Sequence, residues 1–139
     1  MIKILEPAIY ELLKTLAGGK VYHLRAKQGD AGPFIVYQRT DSTRWVSLAG
    51  PSTGVAQALI QIDCYSAKQF EAQQIGAQVE AILDGYRGTV TYAEPAPGDT
   101  IKITGATLQN ELNMTDQTDE PFMFRNSATY LITYDYKGV

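Results

Sequence analysis

Few residues of this 139-residue chain could carry out chemistry, and the sequence spreads them apart. It has one cysteine, Cys64, and one histidine, His23. A nucleophilic cysteine needs a lowered pKa and a basic neighbour. Cys64 falls instead on the apolar side of an alternating run, where a buried structural thiol is expected. His23 lies in a short strand-like segment with no second ligand type beside it, so a packed or surface histidine is expected. Asp63 is on the polar side of the run that holds Cys64, and Glu94, Asp99, Asp116, Asp119 and Glu120 fall in loops, where solvated acids are ordinary. No Ser–His–Asp arrangement or metal-ligand spacing stands out. These residues define no catalytic, cofactor-binding or metal-binding site.

The stretch AILDGYRGT, Ala81 to Thr89, has the composition of a small phosphate cradle. Such a cradle needs its glycines before a helix, so that free backbone N–H groups point at the anion. Here the glycines follow a helical pattern, and the end of that helix carries partial negative charge. The stretch is therefore expected to be architecture. Gly85 is placed to be the left-handed residue that ends the helix, and Arg87 follows an end where a cation is favourable.

The elements around these residues are set by periodicity and by turn residues. Leu5, Ile9, Leu12, Leu13 and Leu16 form one face of an amphipathic helix, tolerant of Pro7 in its first turn and stopped by Gly18 and Gly19. KVYHL reads as a short strand, and RAKQGDAGP as a loop. PFIVYQRT is a strand that RWVSL continues, and AGPSTG is a turn. In VAQALIQIDCYS, Ala56, Ala58, Ile60, Ile62 and Cys64 share one face, and Leu59 on the polar face hints that this face too is partly covered. Residues 34–65 thus form an extended β-hairpin. Ser66 to Gln69 has the form of a capping box. The helix after it carries Ala72, Ile75, Val79, Ile82 and Leu83 on one stripe, with Phe70 off it. TVTY is a short strand and AEPAPGD a loop. TIKITGATLQNELNM is a strand in which Gly105 marks a bulge. After the acidic loop TDQTDEP, the run SATYLITYDY puts Ala128, Tyr130, Ile132, Tyr134 and Tyr136 on one face. The expected fold is α+β: an antiparallel β-sheet with two helices packed on one face and an extended β-hairpin.

Composition agrees with one globular domain spanning residues 1–139. Hydrophobic residues make up 45% of the chain and charged residues 19%, enough apolar material for a core. The net charge of −3 argues against duplex nucleic acid as the main partner. A single cysteine excludes an intrachain disulfide. No apolar run approaches the ~20 residues of a membrane span, and MIKILEPAIYELLK lacks the unbroken apolar stretch of a signal peptide. A soluble protein of a reducing compartment is expected, with no membrane partner.

The tip RTDSTRWVSLAGPSTG is less ordinary. It holds Arg39, Arg44 and the only tryptophan, Trp45. Tryptophan and arginine in an excursion from the core are the residue types of interface anchors. Packing of Trp45 back into the core is the other reading, and the residue types leave both open.

In this order the pieces resemble a known family, the tail-completion or tail-terminator proteins of long-tailed phages and prophages. The resemblance is carried by VYHL after the first helix, GPFIVYQRT, ALIQIDCYSAK and AILDGYRGT. It covers almost the whole chain and rests on element order more than on any single word. Family members often have a proline soon after VY, whereas Pro33 is the first here. The resemblance implies a ring, usually of six subunits, that caps the head-proximal end of the tail tube. The ring stops tube polymerisation and presents a docking face to the head connector, without catalysis or cofactors. Implied partners are other copies of the chain, the tail-tube protein and the head-connector or head-closure protein, with DNA only passing through the lumen. The implied location is the virion tail, after assembly in the bacterial host cytoplasm. Two alternatives stand beside it. One is a head-closure or adaptor protein of the neck. The other is a small enzyme whose loop-borne acids converge with His23 in a deep pocket.

Overall fold

Alternation at period two dictates the sheet. Every second residue from Ala56 to Cys64 and from Ala128 to Tyr136 is buried. The two strands that carry them lie side by side at the centre of one six-stranded sheet. The structure, a computed structural model, describes residues 3–26, 32–46, 52–116 and 123–137. The elements are α1 (Glu6–Leu13), a 3-10 turn (Ala17–Gly19), β1 (Val21–His23), β2 (Phe34–Val46), β3 (Ser52–Ser66), α2 (Gln69–Leu83), β4 (Gly88–Tyr92), β5 (Asp99–Asp116) and β6 (Met123–Asp135). The sheet order is β1-β2-β3-β6-β5-β4. Across the central pair, small residues oppose large ones: Ala56 faces Tyr134, Ala58 faces Ile132 and Ala128 faces Ile62. That pairing levels the buried surface on which the helices rest. The α+β architecture expected from the periodicities is the one observed.

All strand pairs are antiparallel except one. β1 runs parallel to β2, with Val21 beside Ile35 and His23 beside Tyr37. β1 ends at His23 and β2 begins at Phe34. The expectation of a wholly antiparallel sheet is corrected at this edge, because strand direction is decided by the path of a connection that has no periodicity of its own. Gly105 does sit at a register shift between β5 and β6, as its place in the alternation implied.

Both helices pack against the apolar face. α2 lies over β3, β6 and β5 through Ala72, Ile75, Gly76, Val79 and Leu83. α1 touches β1 and β4, the two outermost strands. In a flat sheet these would be roughly 24 Å apart, at ~4.8 Å per strand gap. A helix with its side chains is only roughly 10 Å wide. The sheet therefore curls around α1, whose Leu5, Ala8, Ile9 and Leu13 are fully buried in the curl. Polar ties hold the ends of this arrangement. Lys3 donates its backbone N–H to the Tyr136 carbonyl and places its ammonium 3.2 Å from the Asp99 carboxylate. Arg39 on β2 meets the Glu6 carboxylate on α1 at 2.5 Å.

The helix starts differ from expectation. α1 begins at Glu6 with Pro7 in its first turn. α2 begins at Gln69, and the expected capping box does not form. Ser66 is still the last residue of β3, paired with Phe124, so its hydroxyl cannot reach the third helical N–H. It accepts instead from the Lys68 N–H at 3.1 Å and donates to the Glu71 carboxylate.

Cys64 is buried on the apolar face of β3. Burial, reinforced by the charges of Asp63 and Glu111, pushes its thiol up to about 12. At pH 8 almost no thiolate exists. Thiol reagents are expected to label the native protein slowly and the denatured protein fast; rapid labelling of folded protein would put Cys64 on the wrong face.

Candidate functional site

Two surface features and one internal device stand out, and all but one of them, a groove, lie at positions that the sequence singled out. The first is the β2–β3 arm. Its strands pair from Phe34 opposite Tyr65 to Val46 opposite Ser52, with register shifts between Arg39 and Asp41 and between Arg44 and Val46. β6 accompanies β3 only as far as Val55, so most of the expected hairpin is part of the sheet and only its last residues project. Residues 47–51, part of the stretch where the sequence places a turn, lie outside the described residues.

Trp45 is 47% exposed, which settles the choice between core and surface in favour of surface. Arg44 lies 4.5 Å from the centre of the Tyr136 ring. Arg39 and Arg44 converge on one hydroxyl, each donating to Ser42 Oγ. Arg39 is otherwise committed inside the chain, to Glu6 and over the ring of Tyr134 at 5.8 Å. The three residues therefore have two roles: Arg39 pins α1 to β2, and Arg44 with Trp45 forms the exposed corner.

The second feature is a groove of about 660 Å³ beside α1. It is walled by Ile4, Pro7 and Tyr10, by His23 and Tyr37 from the first two strands, and by Ala93 and Pro95 from the β4–β5 turn. Glu6, Glu11, Lys14 and Glu94 line it too. Ile4 is 48% and Tyr10 40% exposed, which is high for apolar side chains at the start of a helix. Sequence reasoning passed over this groove. The available signal was that Ile4 and Tyr10 fall off the stripe formed by Leu5, Ile9 and Leu13. The groove does combine acids with His23. Two of its three glutamates are neutralised, Glu6 by Arg39 and Glu11 by Lys14 at 2.6 Å. The His23 ring stacks on Tyr37, 5.2 Å between centroids. Burial pushes the Tyr37 phenol up to about 12.

Cys64 and His23 are not brought together. His23 is in register with Tyr37, which pairs with Ile62, so two strand spacings and two residues along β3 separate His23 from Cys64, roughly 12 Å. Asp63 is buried on the opposite face and accepts from the Gln61 amide at 3.0 Å. Of the loop acids, Asp99 holds Lys3, and Glu94 lies at the groove. Asp119, Glu120 and the side chain of Asp116 lie outside the described residues. Among the described residues, no group of three His, Cys, Asp or Glu side chains could hold a metal. No described helix is long and apolar enough to cross a membrane.

The internal device is the stretch Leu83 to Gly88. Gly85 has φ +81, the left-handed value expected after the helix. Its N–H does not close back onto the helix. It donates to the Ala106 carbonyl at 2.7 Å. Asp84 accepts the Leu108 N–H at 3.0 Å, and Arg87 Nε donates to the Thr104 carbonyl at 3.0 Å. Thr104, Ala106 and Leu108 lie on β5 just past the point where β4 stops pairing with it at Ile103. Asp84, Gly85 and Arg87 thus act as a clasp along an edge that β4 leaves open. Gly85→Ala is expected to cost about 1 kcal/mol, from the left-handed backbone alone, because a Cβ there meets no atom within 4 Å. Asp84→Ala should cost a similar amount and speed hydrogen exchange at Leu108; unchanged exchange there would mean that Asp84 does not cover the edge.

These features define a small α+β protein with an exposed aromatic–arginine corner and a largely apolar groove. Residues 7–119 match the family model of the tail completion protein gp17, and the chain belongs to that family of phage tail-completion proteins. A chain in the virion of a native gene transfer agent particle has the same fold, with a TM-score of 0.66 and 17% identity over 94% of each chain. A second solved chain aligns with a TM-score of 0.54 and 14% identity, over 92% of this chain and 89% of its own. No curated protein matches.

Proposed function

We propose that the chain is a tail terminator, acting as one domain over residues 1–139. Copies form a ring of six on the head-proximal end of the tail tube, stop tube growth and present a docking face to the head connector or head-closure protein. DNA passes through the lumen. The protein acts in the virion after assembly in the host cytoplasm, and its role is structural rather than catalytic. The observation that carries this reading is membership of the tail-completion family. The surface supports it. Trp45 stands out at the arm. Gln57, Gln61, Thr129 and Thr133 form a half-buried polar sheet face on which neither described helix packs. The likeness to a chain of a gene transfer agent virion supports a place in a particle.

Tails assembled with and without the protein provide the test. Without it, tube length should become irregular and tails should fail to join heads, and the isolated protein should show a concentration-dependent approach to the mass of a hexamer. A closed dimer at every concentration, with tail length unaffected, would count against the ring. Imaging the labelled protein on the head side of the joint would favour the head-closure or adaptor reading instead.

The groove favours a second reading, since it places three glutamates with His23. In that case His23→Ala or Glu94→Gln would remove a catalytic group and block tail maturation. On the structural reading, His23→Ala leaves joined, infectious particles.

A further inference from the structure

We infer that the α1 groove is the receiving half of a contact between copies, and that its occupant is the Arg44–Trp45 corner of a second copy. The inference rests on the ring reading and assigns the two patches that a ring needs. A head-to-tail contact joins two different surfaces of the same chain, whereas a two-fold contact joins a surface to itself. A two-fold contact centred on the corner would set the two Arg44 guanidiniums together. The corner therefore suits a different patch.

The groove is roomy enough for the corner and carries the opposite charge. Its 660 Å³ lies within the range of sites that enclose sizeable groups. Its exposed apolar walls, Ile4 and Tyr10, are covered by nothing among the described residues, and Pro7 and Pro95 stiffen its two sides. Trp45 is the chain's only tryptophan, and an indole can bury roughly 200 Å² in such a contact. Among the described residues, ion pairs occupy Glu6 and Glu11 but not Glu94, whose exposed carboxylate also lines the groove. On the arm, Arg44 touches the Tyr136 ring and the Ser42 hydroxyl, with no carboxylate among the described residues. A guanidinium lying over a ring keeps N–H groups at its edge for a carboxylate. Among the described residues, one chain thus offers a carboxylate without a cation and a guanidinium without a carboxylate, each beside an exposed aromatic. Joined between copies, they complete each other.

Cysteine pairing tests the contact. Tyr10→Cys and Trp45→Cys are made separately, shown by circular dichroism to be folded, then mixed at high concentration under mild oxidation. The mixture is expected to give a disulfide dimer containing one copy of each variant, in excess of dimers formed by either alone. Dimers of Trp45→Cys with itself in equal yield, or no mixed dimer, would overturn the inference. Charge reversal gives an independent readout. Glu94→Arg and Arg44→Glu should each weaken self-association by about tenfold, and the double reversal should restore most of it. Additive losses in the double variant would also overturn it. A hexamer on tails that lacks the cross-link defeats this contact and leaves the ring standing. A cross-link between copies without rings on tails defeats the ring reading and leaves the contact.

Discussion

Replacing Ile9 by alanine is expected to cost about 3 kcal/mol and to lower the melting temperature by roughly 10 °C. Ile9 is fully buried on α1, inside the curl of the sheet. Losing a buried isoleucine removes its transfer energy and leaves a cavity that the neighbours fill only in part. The distribution of the effect is more informative than its size. α1 is packed against both β1 and β4, which lie at opposite ends of the strand order. Hydrogen exchange in the variant should therefore rise at Val21–His23 and at Gly88–Tyr92 together, more than in the central β3–β6 pair. Loosening confined to α1 would show that the helix is an ornament on the sheet rather than the body it curls around.

Gly76→Ala is expected to destabilise the protein by about 2 kcal/mol, against the direction that helix propensity alone predicts. Alanine in a helix interior is better than glycine by roughly 1 kcal/mol. At Gly76, however, a Cβ would fall 2.2 Å from Asn126 Oδ1 and 2.7 Å from its Cγ. Asn126 is buried and has little freedom to move. Its amide donates to Asn113 Oδ1 at 2.8 Å and to Glu111 Oε2 at 3.2 Å, so yielding breaks a hydrogen bond in a closed setting. Overpacking of this kind costs about 1–3 kcal/mol, and the lost bond adds to it. Thermal unfolding of a double-mutant cycle isolates the cause. In an Asn126→Ala background, Gly76→Ala should become neutral or stabilising. A higher melting temperature for the single variant would show that Asn126 moves aside freely.

These two sites also mark how far the sequence could be read. Ile9 was legible because its stripe repeats at the helical period, and the faces of β3 and β6 were legible because theirs repeat at two. Cys64 and the left-handed Gly85 followed from the same local patterns. Gly76 was not legible. Its neighbour Asn126 is fifty residues away in sequence, and a buried asparagine on an apolar strand face looks like a break in the pattern. The parallel pairing of β1 was hidden because a connection sets it. The partners of Asp84, Gly85 and Arg87 were hidden too, because they are backbone groups on another strand, which have no side-chain signature. At the candidate site, Arg44 and Trp45 were singled out by residue type. The groove was missed because it exists only where α1, the first strands and the β4–β5 turn converge.

The strand order has a consequence for the time at which the protein can fold. β6 lies between β3 and β5, yet it is the last of the described elements to leave the ribosome. Until it emerges, β1, β2 and β3 form one ribbon and β4 with β5 another, with no shared strand to join them. α1 is made first but must wait for β4 before its second wall exists, and Lys3 waits for Tyr136. Synthesis therefore supplies the parts in an order opposite to the one in which they can be locked. The native core closes only after the central strand slots between two waiting ribbons. Folding should be a late, concerted event governed by contacts distant along the chain. During synthesis the facing edges of β3 and β5 stay open, and their protection falls to the chain's surroundings until β6 arrives.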